Sequence, residues 1–390
     1  MFVKKTLLIL GAGASIPYGY PSGLELVKKI IDAIDNDEIY FPLKNGDNYE
    51  FNLEKFSQNN NYGIEAISND IKEFPDYFNY VRDITIIRPP GSSCKYIKIN
   101  LHQIIELEQL RNVLTQHAPI SIDNFLRVNP SFRAAGKLMI TYCLLKCEDP
   151  NKFEINNNDN WYPYLLNDIL HTCADRPENI SKNNLEIVSF NYDVSLDRYL
   201  FDKLSNTEIL TNYDPAKSYL EQFNIQHIYG SLYDAKQQQS YGKYFSDEDS
   251  SKNNPEEKVI KKLKRFNASF NLQDNISVMY EERLGNNKFK ESLMRNEEII
   301  IIGFGFDRTN LDILGFPKKL LEYNDIFPRK TIKYLNYKGK MTALDFEFEE
   351  IKQKCEGRSI GGIPQKVKIV KSHAESIKDA YSYDFKSSLI

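Results

Sequence analysis

Thr6-Leu-Leu-Ile-Leu10 is a short, unbroken apolar run, and it stops abruptly at Gly-Ala-Gly-Ala-Ser (11–15). A run that is apolar on both faces belongs inside a parallel sheet, covered on both sides. The pattern returns in "LEIVSF" (185–190), which runs into Asn-Tyr-Asp, and in "FNIQHIYGSL" (223–232), which Gly230 terminates. It is strongest in "EEIIIIGFGFD" (297–307), and "TIKYLNY" (331–337) and "KVKIV" (366–370) add later strands. Helical patterns lie between them, at 133–147, 161–170 and 343–355. Alternation of this kind predicts an α/β fold with a doubly wound, parallel, Rossmann-like sheet.

One region breaks the rhythm. A first helix is expected after Ser22, with Glu25 completing a capping box and Leu24, Val27, Ile31 and Ile34 on its apolar face. After it, residues 35–130 carry helical spacing at 101–114 and a helix start at "SIDNFLRV" (121–128). The expected division is therefore 1–34 with 131–390 as the sheet domain, and 35–130 as a mainly helical insertion. Residues 154–160 and 235–258 are polar and read as loops, and 258–266 as a solvated amphipathic helix or, alternatively, a basic nucleic-acid or partner surface.

Charge excludes some functions. Lys+Arg number 50 and Asp+Glu 54, so the whole molecule is not drawn to nucleic acid or to a membrane surface. No window of 18 apolar residues occurs, and no signal peptide precedes Leu7–Leu10, so a cytoplasmic location is expected. The five cysteines are scattered, which argues against a disulfide framework.

The first loop limits the ligand. Gly11 and Gly13 allow close approach to the main chain, and exposed N–H groups in such a turn can cradle a phosphate. The dehydrogenase fingerprint would place a third glycine at position 16, where Ile16 stands. Pro17 and Pro21 are expected to keep the chain extended, so residues 11–21 form a long loop over the first strand. In open parallel sheets, ligands bind outside the carboxyl ends of the strands. "GAGAS", "SFNYD", "HIYGSL" and "GFGFD" all fall at such ends and point to one crevice.

These four stretches, in this order, resemble the sirtuin-like NAD-consuming family, and within it the bacterial anti-phage branch. "GAGAS" with "YPSG" (20–23) is similar to the family's first loop, "SFNYD" (189–193) to its Asn-x-Asp motif, "HIYGSL" (227–232) to its His–Gly stretch, and "IIGFGFD" (301–307) to its adenosine-side glycine motif. "SIDNFL" (121–126) resembles a helix start common in that branch. The resemblance implies a sirtuin-type fold and cleavage of the nicotinamide–ribose bond of NAD, depleting NAD in anti-phage defence. It also implies self-association and, for chains of this length, pairing with a separate hexameric DNA-translocating ATPase. No Gly-Lys-Ser/Thr phosphate loop occurs here, so such an ATPase would be another chain. Sirtuin deacylases carry a zinc module of two Cys-x-x-Cys pairs. The one close pair here is Cys143 and Cys147, four apart in an apolar run, so no metal is expected and an acyl-lysine substrate is disfavoured. The rival reading is a non-catalytic module that binds NAD or ADP-ribose.

By this resemblance Asn191 positions the ribose or the attacking water, and Asp193 holds the nicotinamide amide or ribose. Asn191 also reads as a turn residue and Asp193 as a helix cap. Gly11, Ala12, Gly13, Ala14, Ser15, Pro21, Ser22, Ser189, Gly230 and Ser231 are the expected cofactor-binding residues of the first three motifs. Gly303, Gly305 and Asp307 border the adenosine half, or else mark a close backbone crossing. The family's catalytic histidine directly precedes a glycine, but here Tyr229 precedes Gly230 and His227 lies two positions earlier. Strand residues two apart share a face, so both would look into the crevice. A histidine titrates near 6.5 and a tyrosine near 10, which selects His227 as general base and leaves Tyr229 beside the ribose, unless His227 is a satisfied core histidine.

Overall fold

The computed structural model describes residues 2, 4–35, 44–45, 48–52, 84–87, 96–99, 102–154, 159–171, 176–211, 225–233, 240–244, 265–266, 268–278, 285–304, 330–335, 346, 349, 359–360, 363–364 and 368–385. Contacts divide the chain into two compact units, one of residues 1–23, 148–241 and 275–390, the other of 24–147 and 242–274. The second unit thus takes in more chain on either side than residues 35–130 alone.

The first unit is built on a six-stranded sheet of β1 (Thr6–Leu10), β6 (Leu185–Ser189), β7 (Gln226–His227), β8 (Glu298–Ile302), β9 (Thr331–Leu335) and β12 (Lys368–Ser372), in the order β12-β9-β8-β1-β6-β7. Every pairing is parallel. Counted along the chain within this sheet, the order is 6-5-4-1-2-3, that of a doubly wound dinucleotide-binding sheet, so the expected Rossmann-like α/β fold is present. The strand order reverses between β1 and β8. β1 and β8 are buried at every position, as their unbroken apolar runs require. Leu10 pairs with Ser189 on one side and Ile302 on the other, and Ser189 with His227, so four strand ends lie level. Helices α5 (Tyr162–Leu170), α6 (Ser195–Ser205), α7 (Glu208–Thr211) and α8 (Gly285–Arg295) belong to this unit, as does the short hairpin of β10 (Ser359–Ile360) and β11 (Ile363–Pro364).

The second unit contains α1 (Gly23–Asp35, from Leu24 onward), α2 (His102–His117), α3 (Ile122–Val128) and α4 (Arg133–Leu145). Ser121 caps α3 by accepting from the Asn124 N–H. The described part of 35–130 also holds a four-stranded antiparallel sheet, β2 (Lys44–Asn45), β3 (Asn48–Asn52), β5 (Tyr96–Ile99) and β4 (Ile84–Ile87) in spatial order, which helical spacing alone did not reveal. The buried side of α1 is Leu26, Val27, Ile30, Ala33 and Ile34, whereas Leu24 is exposed. The set of Leu24, Val27, Ile31 and Ile34 fails at two positions, because spacings 26-30-33 and 27-30-34 centre on a neighbouring stripe. Most of 258–266 and 343–355 lies outside the described residues.

Across β8 and β9 the first unit buries an ion pair. Lys333 Nζ lies 2.9 Å from Glu298 Oε1, and both side chains are almost fully enclosed. The pair is close but poorly aligned for a hydrogen bond, so the attraction is chiefly coulombic. Removing one member strands the other as a buried charge, which typically costs about 3–5 kcal/mol. Lys333→Met is expected to lower the free energy of unfolding by that amount. Denaturant titration checks this, and Glu298→Gln/Lys333→Met together should recover much of the loss.

Candidate functional site at the carboxyl ends of the sheet

The first loop is held by backbone. Gly11 N–H donates to Ile302 O at 3.0 Å, and Gly13 N–H to Gly303 O at 2.7 Å. A Cβ at Gly11 would lie 2.6 Å from Gly303 O, and one at Gly13 2.7 Å from Gly303 Cα. Gly303 has φ +64°, and a Cβ there would come within 2.0 Å of Ala14 N. The loops after β1 and β8 therefore touch main chain to main chain at the reversal of strand order. The N–H groups of Gly11 and Gly13 are taken by the carbonyls of Ile302 and Gly303 and so are not open to a phosphate.

Residues 12–18 form a 3₁₀ helix rather than an extended loop, with Pro17 inside and Gly19 (φ 90°) as left-handed cap. Proline's fixed φ is compatible with 3₁₀ backbone, so Pro17 does not force extension. The Tyr18 hydroxyl accepts from the N–H groups of Trp161 (3.1 Å) and Tyr162 (3.0 Å), donates to Asn160 Oδ1 (2.9 Å), and so caps α5. Its ring stacks on Tyr162 with centroids 3.7 Å apart, and Trp161 Nε1–H donates to Ala14 O at 3.0 Å. Burial drives the Tyr18 pKa well up, which keeps the proton that bridges to Asn160. The first helix follows at Gly23, as expected, after buried Pro21 and half-buried Ser22.

Asn191 reaches into this loop. Its Nδ2 donates to Gly11 O and to Ser15 Oγ, both at 3.0 Å. A backbone carbonyl can only accept, which fixes the amide orientation. Oδ1 has no partner among the described residues. The Asn191 N–H donates to Ser189 Oγ at 3.1 Å, so Ser189 shapes the turn. The Ser15 hydroxyl also favours the charged form of the Asp193 carboxylate. Asp193 Oδ1 accepts from Ser195 Oγ (2.5 Å) and Ser195 N–H (3.2 Å), and Ser195 Oγ lies 2.7 Å from the Tyr162 hydroxyl. Asp193 thus accepts the N–H of the first residue of α6, one position before the helix cap, while sitting in the polar chain. Burial raises its pKa, against the opposing hydrogen bonds of Ser195 and Ser15 and the charge of His227.

His227 turns toward α6. Nδ1 lies 2.8 Å from Asn191 O, and Nε2 is 3.2 and 3.3 Å from the two Asp197 oxygens. Burial acts to lower its pKa, but Asp197 and the Asn191 carbonyl outweigh this and the net shift is upward. The strand ends at His227, and residues 228 and 229 are turn. The alternation that would aim His227 and Tyr229 alike therefore does not continue. Tyr229 packs on Phe190 (6.0 Å between ring centroids) and Tyr192 (6.5 Å), against the apolar core. Gly230 (φ 79°) completes the turn, and Ser231 Oγ donates to Tyr233 O at 2.7 Å. Gly305 and Asp307 lie outside the described residues.

The structure thus brings Gly11, Gly13, Ser15, Ser189, Asn191, Asp193 and Gly303 together, with His227 behind Asn191. It adds residues that sequence reasoning passed over. Asp197 was signalled only by its place one turn beyond Asp193. A buried aromatic group follows the same edge: Tyr20 and Tyr241 have their hydroxyls 3.4 Å apart, and the Tyr233 hydroxyl donates to Glu148 Oε2 at 2.9 Å. Burial raises the pKa of both Tyr20 and Tyr241, and the charges of Glu148 and Asp193 add to this. Cys143 and Cys147 are buried free thiols, and among the described residues no group of three or more His, Cys, Asp or Glu is arranged to hold a metal. His117, His171 and His373 are exposed. No described helix is long and apolar enough to cross a membrane. No protein-family model matches the chain, and no match is found among curated proteins.

Gly303→Ala tests the backbone contact. Positive φ costs about 1 kcal/mol for a residue with a side chain, and overpacking typically adds about 1–3 kcal/mol. The variant should unfold at clearly lower denaturant than wild type, while a Ser231→Ala control changes little.

Proposed function

We propose that this protein is a sirtuin-type NAD glycohydrolase that releases nicotinamide and depletes NAD in bacterial defence against phage. One observation carries the reading. At the strand-order reversal of a dinucleotide-binding sheet, an asparagine is held by both amide protons and keeps its Oδ1 as an acceptor. Such an acceptor can hold a ribose hydroxyl or an attacking water. In the reaction, water oxygen bonds to the anomeric carbon and the carbon–nitrogen bond breaks. Its electron pair neutralises the pyridinium nitrogen, and the water's proton passes to solvent. Positive charge grows on the sugar before much proton transfer is needed, so positioning and exclusion of stray water matter most. No metal is needed for that chemistry. The four motif resemblances support NAD over other dinucleotides, and by the same resemblance the enzyme works as a homo-oligomer in the bacterial cytoplasm, with a separate hexameric DNA-translocating ATPase as partner.

The non-catalytic reading has its own support. His227 has an acceptor at each nitrogen, and Asp193 is tied to Ser195 and Ser15, so neither is an idle base. A site of that kind suits binding of NAD or ADP-ribose. Incubating the protein with NAD and measuring nicotinamide separates the two readings. Asn191→Ala should lose about 10²-fold or more in turnover, the scale of a misplaced reacting group. Circular dichroism should show the variant folded. Near-wild-type turnover would remove Asn191 from the mechanism, and calorimetric binding of NAD without nicotinamide release would favour the second reading.

A further inference from the structure

We propose that His227 is a positioning residue, a doubly protonated clamp that fixes the Asn191 turn from behind and takes no proton in the reaction. The inference rests on the glycohydrolase reading for its kinetic consequences but not for its geometry. The carbonyl oxygen of Asn191 cannot donate, so the nitrogen 2.8 Å away must carry hydrogen. The other nitrogen faces a carboxylate at 3.2 Å on a side chain about as buried as its own. A neutral ring with hydrogen on Nδ1 would set a lone pair against Asp197. The imidazolium satisfies both neighbours, and its charge balances a carboxylate that is largely out of water.

The clamp joins three elements. His227 is the last residue of β7, Asn191 belongs to the β6–α6 connection, and Asp197 lies in the first turn of α6. The front of the same turn is held by Asn191 Nδ2 on Gly11 O and Ser15 Oγ. The residue is thus gripped on its backbone by His227 and on its side chain by the first loop, and among the described residues its Oδ1 takes no partner. Among the described residues, the charged groups that act on His227 are Asp197 and Asp193, and both favour the charged ring.

The two roles predict opposite pH limbs. A general base fails when protonated, so its rate falls as pH drops below its pKa. A clamp fails when it loses its proton, so kcat/KM should hold at mildly acid pH and fall as pH rises past the raised His227 value, above the ordinary histidine value of about 6.5. Stability has the same sign: the contribution is complete below the unfolded value and is lost as pH rises through the folded one. Asp197→Asn should move the alkaline limb to lower pH. His227→Asn keeps a donor near the Nδ1 position and should stay within about 10-fold of wild type, whereas His227→Ala should fall about 10²-fold, as expected when a reacting group is misplaced. Loss of the same size in both variants, with an acid limb in the wild type, overturns the clamp. Nitrogen-15 NMR of the histidine-labelled full chain decides independently of turnover, with His227→Asn assigning the signal. Two protonated ring nitrogens at neutral pH support the clamp, and a single one refutes it. If wild type releases no nicotinamide, the hydrolase reading fails while these signals still judge the clamp.

Discussion

The contact of Gly11 and Gly13 with Gly303 is the constraint on which the site depends. β1 lies between β6 and β8, and its loop must leave the sheet where the strand order reverses. Two loops meet there with no side chain between them. Any Cβ at the three positions would come within 2.7 Å of backbone, and backbone cannot step aside as a side-chain tip can. Glycine serves two needs, close approach at all three positions and positive φ at Gly303. Because Gly11 is fixed by its N–H to Ile302, its carbonyl is also fixed, and that carbonyl orients the Asn191 amide. A backbone crossing thus determines which atom of a side chain on another strand end remains available.

From that amide a chain of polar groups runs through buried ground. Asn191 donates to Ser15, whose hydroxyl helps to hold the charge of Asp193; Ser195 donates to Asp193, and Tyr162 joins at Ser195. Tyr162 stacks on Tyr18, whose hydroxyl caps the helix from which Tyr162 springs. A buried polar network of this kind is stable only when its members are satisfied, and its low dielectric makes each bond matter more. The raised pKa of Asp193 shows the opposing demand, since burial resists a charge that two serines and His227 help to hold.

The sheet was legible in the sequence because its strands are buried on both faces, and such runs as Thr6–Leu10 and Glu298–Ile302 admit few other readings. The level strand ends followed from the same runs, and so did the gathering of Asn191, Ser15 and Gly303. Local backbone form was less legible. Pro17 reads as a stop signal in one dimension, but Gly19 and the Tyr18 cap let the loop coil instead. The antiparallel strands in 44–99 were missed because they are short and carry polar residues, whereas helical spacing in 102–117 is long and regular. His227 shows the limit most clearly. Its residue type suggested a base, but what a histidine does depends on the two atoms its nitrogens face, and Asp197, thirty positions away, is one of them.

That dependence bears on what kind of catalysis a fold like this can support. Breaking a bond to a cationic leaving group needs no strong base if the attacking oxygen is held in line while charge develops on the sugar. The groups around Asn191 are arranged to hold rather than to titrate. The glycines fix the first loop, Ser15 and Gly11 fix the amide, and His227 with Asp197 fixes the backbone behind it. A mobile base would have to give up one of those bonds to act, and the turn would loosen as it did so. Keeping the titratable groups committed leaves the Asn191 Oδ1 as an acceptor held in place, which favours precision of position over proton transfer.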